Sequence, residues 1–373
     1  MLCSASCDRG DCLATSHMGS GARARLALVV AIVLSVGAGF LYVGGWFSPR
    51  QLTPARLVDT FERVNGPHPG FRRNHAKGVS ISGYFEANGA GVRLSKASVF
   101  RPGRVAVVGR FALAGGLPYA GDSAATVRSM ALLFSLPNGE EWRTGMNNIP
   151  IFVVKTPEAF NEQLIALAPE PATKKPNPER ASAFFAKHPE TARAIALIKA
   201  QAPTSGFADS TYNSLNAFEL SDGDGRLTPV RWAMVPLQEP APPAAPTGVA
   251  PGANFLFDAL TARLNQGALR WRLVLTIGQP GDSTSDATLA WPESRERVDV
   301  GTLTIDHVEG EATGVARTIN FDPLVLPNGI AGSDDPLLSA RSAAYSQSFT
   351  RRAGEPVAAS AVTTPSGEKG SPP

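Results

Sequence analysis

Short runs in which apolar and polar residues alternate recur through the chain, and they limit what it can fold into. The run from Val79 to Phe85 places apolar side chains on one side and serine or tyrosine side chains on the other. Such period-two alternation predicts a strand with one buried face. Glycine and proline turns separate it from further runs at residues 91–100, 104–113, 129–136, 149–154, 217–220, 227–235, 270–277 and 300–305. Many short strands joined by turns favour an antiparallel barrel.

Segments with helical periodicity lie before and between these strands. Residues 52–66 have one apolar face, a capping Thr53 before Pro54 and a terminating Gly66. Further helices are predicted at residues 156–168, 179–201 and 254–266. Residues 236–252 are rich in proline and alanine, which predicts an exposed, extended segment. The combination of strands and helices predicts an α+β fold.

Residues 26–47 contain no charged side chain and are mainly aliphatic. As a helix, such a run is long enough to cross a hydrocarbon core of about 30 Å. It follows a polar leader, residues 1–25, which ends with Arg23 and Arg25. We therefore predict an uncleaved transmembrane helix in a bacterial inner membrane, with the rest of the chain on the periplasmic side. A cleaved signal peptide is the alternative interpretation.

The charge balance argues against one class of partner. The formal net charge is +3 and no basic stripe with interleaved aromatic residues is present, so no nucleic-acid partner is expected. Cys3, Cys7 and Cys12 all lie in the first dozen residues, so the remainder needs no disulfide. Residues 353–373 are largely alanine, serine, proline and glycine, which predicts a disordered tail.

His75 stands where a loop enters the first predicted strand, within the pattern Arg-x-x-His-Ala-Lys-Gly. A lone histidine in such a place is often a satisfied structural residue. Here the pattern is followed by Gly-Tyr-Phe-Glu, and together they resemble the haem catalases. The resemblance continues in family order at Gly109-Arg-Phe111, at Met146-Asn-Asn-Ile-Pro-Ile-Phe152, and at Arg341-Ser-Ala-Ala-Tyr345 with Arg352 beyond. It implies a catalase-like domain over residues 52–352, an antiparallel β-barrel wrapped by helices that binds haem b.

The resemblance assigns the peroxide chemistry to three residues. His75 corresponds to the distal catalytic base, a role that suits an imidazole because its ordinary pKa lies near neutrality. Asn147 corresponds to the neutral donor that orients the peroxide. Phe160 corresponds to an aromatic lid that excludes water.

The resemblance assigns the other face of the haem to residues near the end of the domain. Tyr345 corresponds to the tyrosine that ligates the iron, a ligand known for catalase haem. Arg341 precedes it by four residues, on the same helical face, where a positive charge favours the phenolate form. Three more arginines correspond to residues that pair with haem propionates or with the proximal helix: Arg72, Arg110 and Arg352.

Three positions depart from the family pattern. Ala112 replaces a serine that holds the distal histidine, Asn74 replaces a valine, and Asn216 replaces a histidine of the proximal hydrogen-bond network. An unheld imidazole and a shorter chain resemble the smaller catalase-related peroxidases, which favour oxidation of an organic donor over disproportionation. The interlocked family tetramer is not expected, and a monomer or dimer is favoured. Trp291-Pro292 resembles part of a nicotinamide-binding zone, but without supporting residues we predict no such cofactor.

The sequence therefore predicts a haem peroxidase that acts on hydrogen peroxide or organic peroxides with a small organic electron donor and has weak catalase activity. One alternative is an allene-oxide-type enzyme that rearranges a fatty-acid hydroperoxide. Another is a non-catalytic haem-binding envelope protein. Retention of both His75 and Asn147 argues against the last, because haem storage needs only the Tyr345 side.

Overall fold

Antiparallel strands dominate the structure, a computed structural model that describes residues 20–43, 51–240 and 252–363. The helices of this described part are α1 (Ser20–Val43), α2 (Pro54–Asn65), α3 (Pro157–Ala166), α4 (Pro178–Lys187), α5 (Pro189–Lys199), α6 (Phe255–Gln266) and α7 (Pro336–Ala353). Its strands are β1 (Gly78–Ala87), β2 (Gly103–Leu113), β3 (Arg128–Ser135), β4 (Glu141–Asn147), β5 (Tyr212–Asn213), β6 (Phe218–Ser221), β7 (Leu227–Pro236), β8 (Leu269–Ile277), β9 (Arg297–Gly310) and β10 (Ile330–Gly332). The predicted α+β fold is confirmed.

Eight of the strands close into a barrel. Their order is β7-β5-β4-β3-β2-β1-β9-β8, and β8 returns to pair with β7. Every pairing is antiparallel, as the alternating runs and tight turns predicted. Strands β6 and β10 extend the sheet from β7 outside the closed ring. Closure leaves the barrel strands without free edges, which protects them from pairing with other chains.

Large aromatic side chains fill the inside of the barrel. Trp142 stacks on Phe134, its neighbour across β3 and β4, with ring centroids 4.7 Å apart. Trp232 meets Trp142 edge-on at 5.1 Å and stacks on Phe218 at 4.0 Å. Because the interior is packed with side chains, a large ligand has to bind on the outer face of the barrel.

Three of the predicted elements are wrong. Residues 149–154 form no strand, because β4 already ends at Asn147 and the segment between it and α3 is irregular. Residues 91–100 form two short 3₁₀ turns, Ala90–Arg93 and Ser98–Phe100, instead of a strand. The segment folds back on itself so closely that a Cβ atom on Gly91 would lie 2.7 Å from the Phe100 ring. The single helix predicted over residues 179–201 is divided into α4 and α5 at Pro189, which has no backbone N–H to continue the hydrogen-bond ladder.

The disorder predicted for residues 353–373 is wrong for its first half. Residues 354–363, here called the C-terminal strap, pack against the domain. The Glu355 carboxylate binds Arg73 and accepts a 2.7 Å hydrogen bond from the Gly70 N–H, while Val362 is only 1% exposed. These contacts hold the segment in place, although its composition alone is typical of a disordered tail. Residues 364–373 lie outside the described residues.

Glu355→Ala should destabilise the domain by about 1 kcal/mol, because Arg73 is a largely buried cation that would keep its 2.7 Å contact with Glu62 and its 3.1 Å bond to the Phe71 carbonyl but lose its second carboxylate. Urea unfolding of the full-length protein measures the loss. Glu86→Ala is the matched control, since its ion pair with Arg104 is solvent-exposed, and it should leave the unfolding midpoint unchanged. Equal effects of the two substitutions would show that the strap does not stabilise the loop that contains Gly70 and Arg73.

The N-terminal unit, Met1–Thr53, is separate from the unit that contains the barrel. Its described helix, α1, contains a candidate membrane span, Arg23–Tyr42, with a mean hydropathy of 2.2. Large apolar side chains along it are exposed, including Leu34 and Phe40. A signal sequence near the N-terminus has the same features, so the helix agrees with both interpretations of residues 26–47. Much of the leader with its three cysteines, Trp46, and the proline-rich residues 241–251 lie outside the described residues.

Candidate active site

A cavity of about 400 Å³ lies between the barrel wall and helices α2, α3 and α7. It is lined mainly by apolar side chains. All eight residues that the sequence singled out contribute to its wall: Arg72, His75, Arg110, Asn147, Phe160, Arg341, Tyr345 and Arg352. The structure therefore brings together motifs that are up to 280 residues apart in the sequence.

The alternation of β2, β3 and β4 decides which side chains reach this cavity. Phe111, Met130 and Met146 are buried in the hydrophobic core, although the two methionines also touch the floor of the cavity. Their neighbours in sequence point to the opposite face and line the cavity. These neighbours form two rows across the strands. The first row is Ala112, Ser129 and Asn147, and the second is Arg110, Ala131 and Gly145.

The His75 backbone is held in a left-handed conformation, with φ of 54°. The Asn74 side-chain oxygen accepts hydrogen bonds from the His75 N–H at 3.0 Å and from the Gly115 N–H at 2.9 Å. The Arg110 guanidinium donates to the His75 carbonyl at 2.9 Å. Non-glycine residues rarely adopt this conformation, and such strain is typical of functional sites. Asn74, which departs from the family pattern, is thus one of the residues that hold the histidine loop.

The His75 ring is held by a residue that the sequence analysis missed. Ser129 Oγ lies 3.0 Å from His75 Nδ1 and also donates a short hydrogen bond to Asn147 Oδ1. The expectation that Ala112 leaves the imidazole unheld is therefore wrong. Ser129 lies directly opposite Ala112 in the β2–β3 ladder, so its hydroxyl reaches the same region from the neighbouring strand.

The surroundings of His75 keep its ring neutral. Burial, followed by the positive charges of Arg110 and Arg341, lowers the pKa of His75 from 6.5 to about 3, although a hydrogen bond to the Leu113 backbone acts in the opposite direction. A neutral imidazole keeps one nitrogen lone pair, which is the form that a general base requires.

The reaction with peroxide should therefore lack an acid limb near pH 6.5. Stopped-flow mixing of enzyme with peroxide between pH 5 and 8 should give a rate that does not follow His75 protonation, because its pKa is about 3. A limb near pH 6.5 that disappears in a His75 variant would contradict this prediction.

The same lowered pKa of His75 affects stability. Below about pH 6.5 the folded state binds fewer protons than the unfolded state, so the free energy of unfolding decreases as the pH falls.

Tyr345 and Arg341 lie one turn apart on α7, at another part of the cavity wall. A Cβ atom on Gly145 would lie 3.3 Å from both the Tyr345 hydroxyl and Arg341 Nη2. The Tyr345 ring packs on a small apolar cluster that includes Phe321. A side chain at position 145 would crowd both groups, so the glycine keeps this part of the cavity open.

Arg341 is fixed by a chain of hydrogen bonds. It donates to the Gly145 carbonyl at 2.9 Å and to the Asn216 side-chain oxygen. Asn216 in turn donates to Asp335 Oδ2 at 2.7 Å, and Asp335 caps α7 through the Leu337 N–H at 2.8 Å. Burial raises the pKa of Asp335. Asn216 thus stands in the hydrogen-bond network where the sequence placed it.

Three arginines and one carboxylate form a buried, positively charged cluster beside the cavity. Glu311 accepts from Arg72 Nε at 3.1 Å and from Arg110 Nη2 at 2.7 Å, and Arg352 donates to the Arg317 carbonyl at 2.7 Å. Burial and the charge of Arg110 lower the pKa of Arg72 to about 9. Within the described part of the chain, Arg110 Nε and Arg352 Nε are buried without a hydrogen-bond partner. The cluster has an excess of positive charge and is suited to bind anionic groups.

Phe160 belongs to an aromatic group at the α2 and α3 side of the cavity. Its ring centroid lies 5.6 Å from that of Phe152 and 5.9 Å from that of Phe61. These rings, with other apolar side chains of the two helices, form a wall that water does not wet well.

Comparison with known proteins agrees with this geometry. The family model described as Catalase matches residues 48–369. The chain belongs to the Catalase family. It is 36% identical to the catalase-related peroxidase of Synechococcus elongatus, covering 88% of this chain and 96% of that protein. It is 34% identical to the catalase-related peroxidase of Mycolicibacterium paratuberculosis, covering 81% and 96%. The resemblance inferred from the motifs is confirmed.

Solved structures show the same fold. A fungal catalase superposes with a TM-score of 0.68 at 19% identity, over 80% of this chain and 63% of that one. A bacterial catalase superposes with a TM-score of 0.67 at 20% identity, over 82% and 63%. The chain thus spans less than two thirds of the length of these catalases, and at this identity the likeness concerns the fold alone.

Proposed function

We propose that this member of the Catalase family is a haem-dependent peroxidase that reduces hydrogen peroxide or organic peroxides with electrons from an organic donor, with only weak catalase activity. The chain matches two relatives named catalase-related peroxidases over 96% of their length. It is accordingly an oxidoreductase that acts on peroxide. One observation carries the proposal. A single cavity contains the neutral His75 imidazole, linked to the Asn147 amide through the Ser129 hydroxyl, and also the Tyr345–Arg341 pair.

The cavity fits a haem. Its arginine cluster suits two propionates, since its three guanidiniums share one carboxylate, Glu311, which pairs with only two of them, and two buried Nε groups have no partner within the described residues. Asn147 belongs to the first row of cavity-lining residues and Gly145 to the second. Because they are two residues apart on β4, the distance between the two rows is roughly 7 Å. This spacing is about twice an ordinary carbon–carbon contact and admits one flat ring system. Tyr345 would ligate the iron, and Arg341 beside it favours the phenolate.

Haem, when bound, supplies the iron that exchanges electrons with the peroxide. The residues of the chain move and hold the proton. His75 Nε2 would take a proton from one peroxide oxygen and return it to the other, which leaves as water or alcohol while the haem supplies the electrons. The Asn147 amide donates a hydrogen bond that orients the peroxide without adding charge. The aromatic group around Phe160 keeps water away from the reacting atoms.

Spectroscopy and three assays on the full-length protein in detergent test this proposal. We expect a ferric haem spectrum that changes on addition of peroxide, fast oxidation of a dye-type donor and slow release of oxygen. Rapid oxygen release without donor oxidation would instead identify a catalase. Conversion of a fatty-acid hydroperoxide without any donor would identify the rearranging enzyme. A haem spectrum that peroxide does not change would identify a non-catalytic haem carrier.

We further propose that residues 26–47 anchor the enzyme in a bacterial inner membrane with the haem domain on the periplasmic side. The apolar helix α1, which has Arg23 and Arg25 near its N-terminal end, supports this orientation. The monomer or dimer favoured by the sequence stays a prediction.

Protease added to cells with a permeabilised outer membrane should digest the haem domain while a cytoplasmic marker stays intact. Protection of the domain would reverse the orientation. The N-terminal sequence of the mature protein separates the other alternative. A mature chain that begins after residue 43 would show that the segment is a cleaved signal peptide.

A further inference from the structure

One hydroxyl group connects the two polar residues that face the reacting end of the cavity. Ser129 is the first outward-facing residue of β3, and its side chain is buried, with the residue 7% exposed. Its Oγ lies 3.0 Å from His75 Nδ1 and donates to Asn147 Oδ1. Asn147 is its direct neighbour across the β3–β4 ladder, so the second contact is built into the sheet.

Counting protons shows what this arrangement requires. A hydroxyl has a single proton to donate. Because Ser129 donates it to the Asn147 oxygen, the hydroxyl can only accept from His75, so His75 Nδ1 has to carry a proton. A neutral imidazole protonated at Nδ1 has its lone pair on Nε2. The amide whose oxygen is engaged has its NH₂ group free to donate into the cavity.

The opposite arrangement would present the opposite chemistry. If the hydroxyl donated to Nδ1, the imidazole would carry its proton on Nε2, and Asn147 would have to turn its NH₂ group towards Ser129. The cavity would then meet a histidine that donates and an amide that accepts. The direction of a single hydroxyl proton therefore sets the state of both residues together.

We propose that Ser129 is a positioning residue that makes His75 a base and Asn147 a donor at the same time, an inference that rests on the proposed function. The ring sits on a loop with a left-handed backbone, whereas Ser129 is fixed in the barrel wall. The rigid strand thus ties the ring to Asn147, a link that the ring's other hydrogen bond, to the Leu113 backbone, does not provide. Position 112, which lies on β2 directly opposite Ser129, is an alanine and provides no hydroxyl for this purpose.

Nuclear magnetic resonance of the histidine ring nitrogens measures the tautomer without reference to turnover. The full-length protein is used with labelled histidine, and any haem is held in the diamagnetic ferrous carbon monoxide form. The His75 signals are assigned by their loss in His75→Asn. We expect a single tautomer protonated at Nδ1 in the wild type and a mixture in Ser129→Ala.

Two further variants separate positioning from structure. Ser129→Thr keeps the hydroxyl and should keep the wild-type tautomer. Ala112→Ser combined with Ser129→Ala returns a hydroxyl to the neighbouring strand without the tie to Asn147, so it should leave the tautomer mixed as in Ser129→Ala. Ser98→Ala is the matched control, because the Ser98 hydroxyl is also buried and has no hydrogen-bond partner among the described residues. It should leave the His75 signals unchanged.

The rate of the first reaction with peroxide gives the functional result. Ser129→Ala should lower it by about tenfold to a hundredfold, since small misplacements of a catalytic group have effects of this order. Ser129→Thr should stay close to the wild type. In a His75→Asn background, Ser129→Ala should add little further loss, because most of its effect passes through the ring.

The outcomes distinguish this inference from the proposed function. A wild-type ring protonated at Nε2, or an unchanged tautomer in Ser129→Ala, would overturn the role of Ser129 even if peroxidase activity is found. A tautomer that changes as expected in a protein without peroxidase activity would support the positioning role and overturn the proposed function instead.

Discussion

Tyr345→Phe is expected to yield a folded protein that has lost most of its haem. The substitution removes only the phenol oxygen, and the ring can still pack against Phe321. Arg341 keeps its bonds to the Gly145 carbonyl and to Asn216, so α7 stays in place. Loss of residues outside the ligand shell already lowers metal affinity by about 10–100-fold, and loss of the ligand itself should have at least that effect. The haem content per chain and the ferric spectrum are the measurements.

Tyr119→Phe is the control for this experiment, since Tyr119 is an exposed tyrosine outside the cavity lining and its loss should leave haem binding unchanged. Arg341→Ala should act in the same direction as Tyr345→Phe but less strongly, because the iron itself still stabilises the phenolate. An unchanged haem content and an unchanged ferric spectrum in Tyr345→Phe would show that another group ligates the iron.

Much of this architecture was predictable because its signals are local in the sequence. Alternation over β1 and β2 predicts strands whatever their partners are. The short patterns around His75, Asn147 and Tyr345 each span a few residues, and the structure places all three in one cavity. The helix break at Pro189 was also local, but the apolar periodicity on both sides of it concealed the break.

The features that were missed depend on contacts between distant parts of the chain. Ser129 holds His75 only because β3 pairs with β2 in one particular register, and a shift by one residue would turn its hydroxyl into the core. A search for outward-facing hydroxyls beside position 112 would have found it. The C-terminal strap was missed for a similar reason. Its composition resembles that of a disordered tail, and its order depends on contacts with distant parts of the chain, such as that between Glu355 and Arg73, which are 282 residues apart.

His75→Asn should keep the haem and lose most of the reaction with peroxide. Asparagine tolerates the left-handed conformation that His75 adopts, so this substitution isolates the loss of the imidazole better than alanine does. The proposed iron ligand is on α7, and the arginine cluster is unchanged, so haem binding should be retained. Loss of a positioned acid–base group lowers a rate by about 10²–10⁴-fold.

Rapid mixing with peroxide measures this loss, and His307→Asn is the control because that histidine lies on β9, outside the cavity lining. The result also decides between the enzyme and a haem carrier. A carrier has no need of a neutral imidazole fixed by a hydroxyl on the barrel wall, and its response to peroxide would not depend on His75. A rate in His75→Asn within a few-fold of the wild type would therefore remove His75 as the base. The Ser129 hydrogen bonds would then have only a structural role in holding the histidine loop against the barrel.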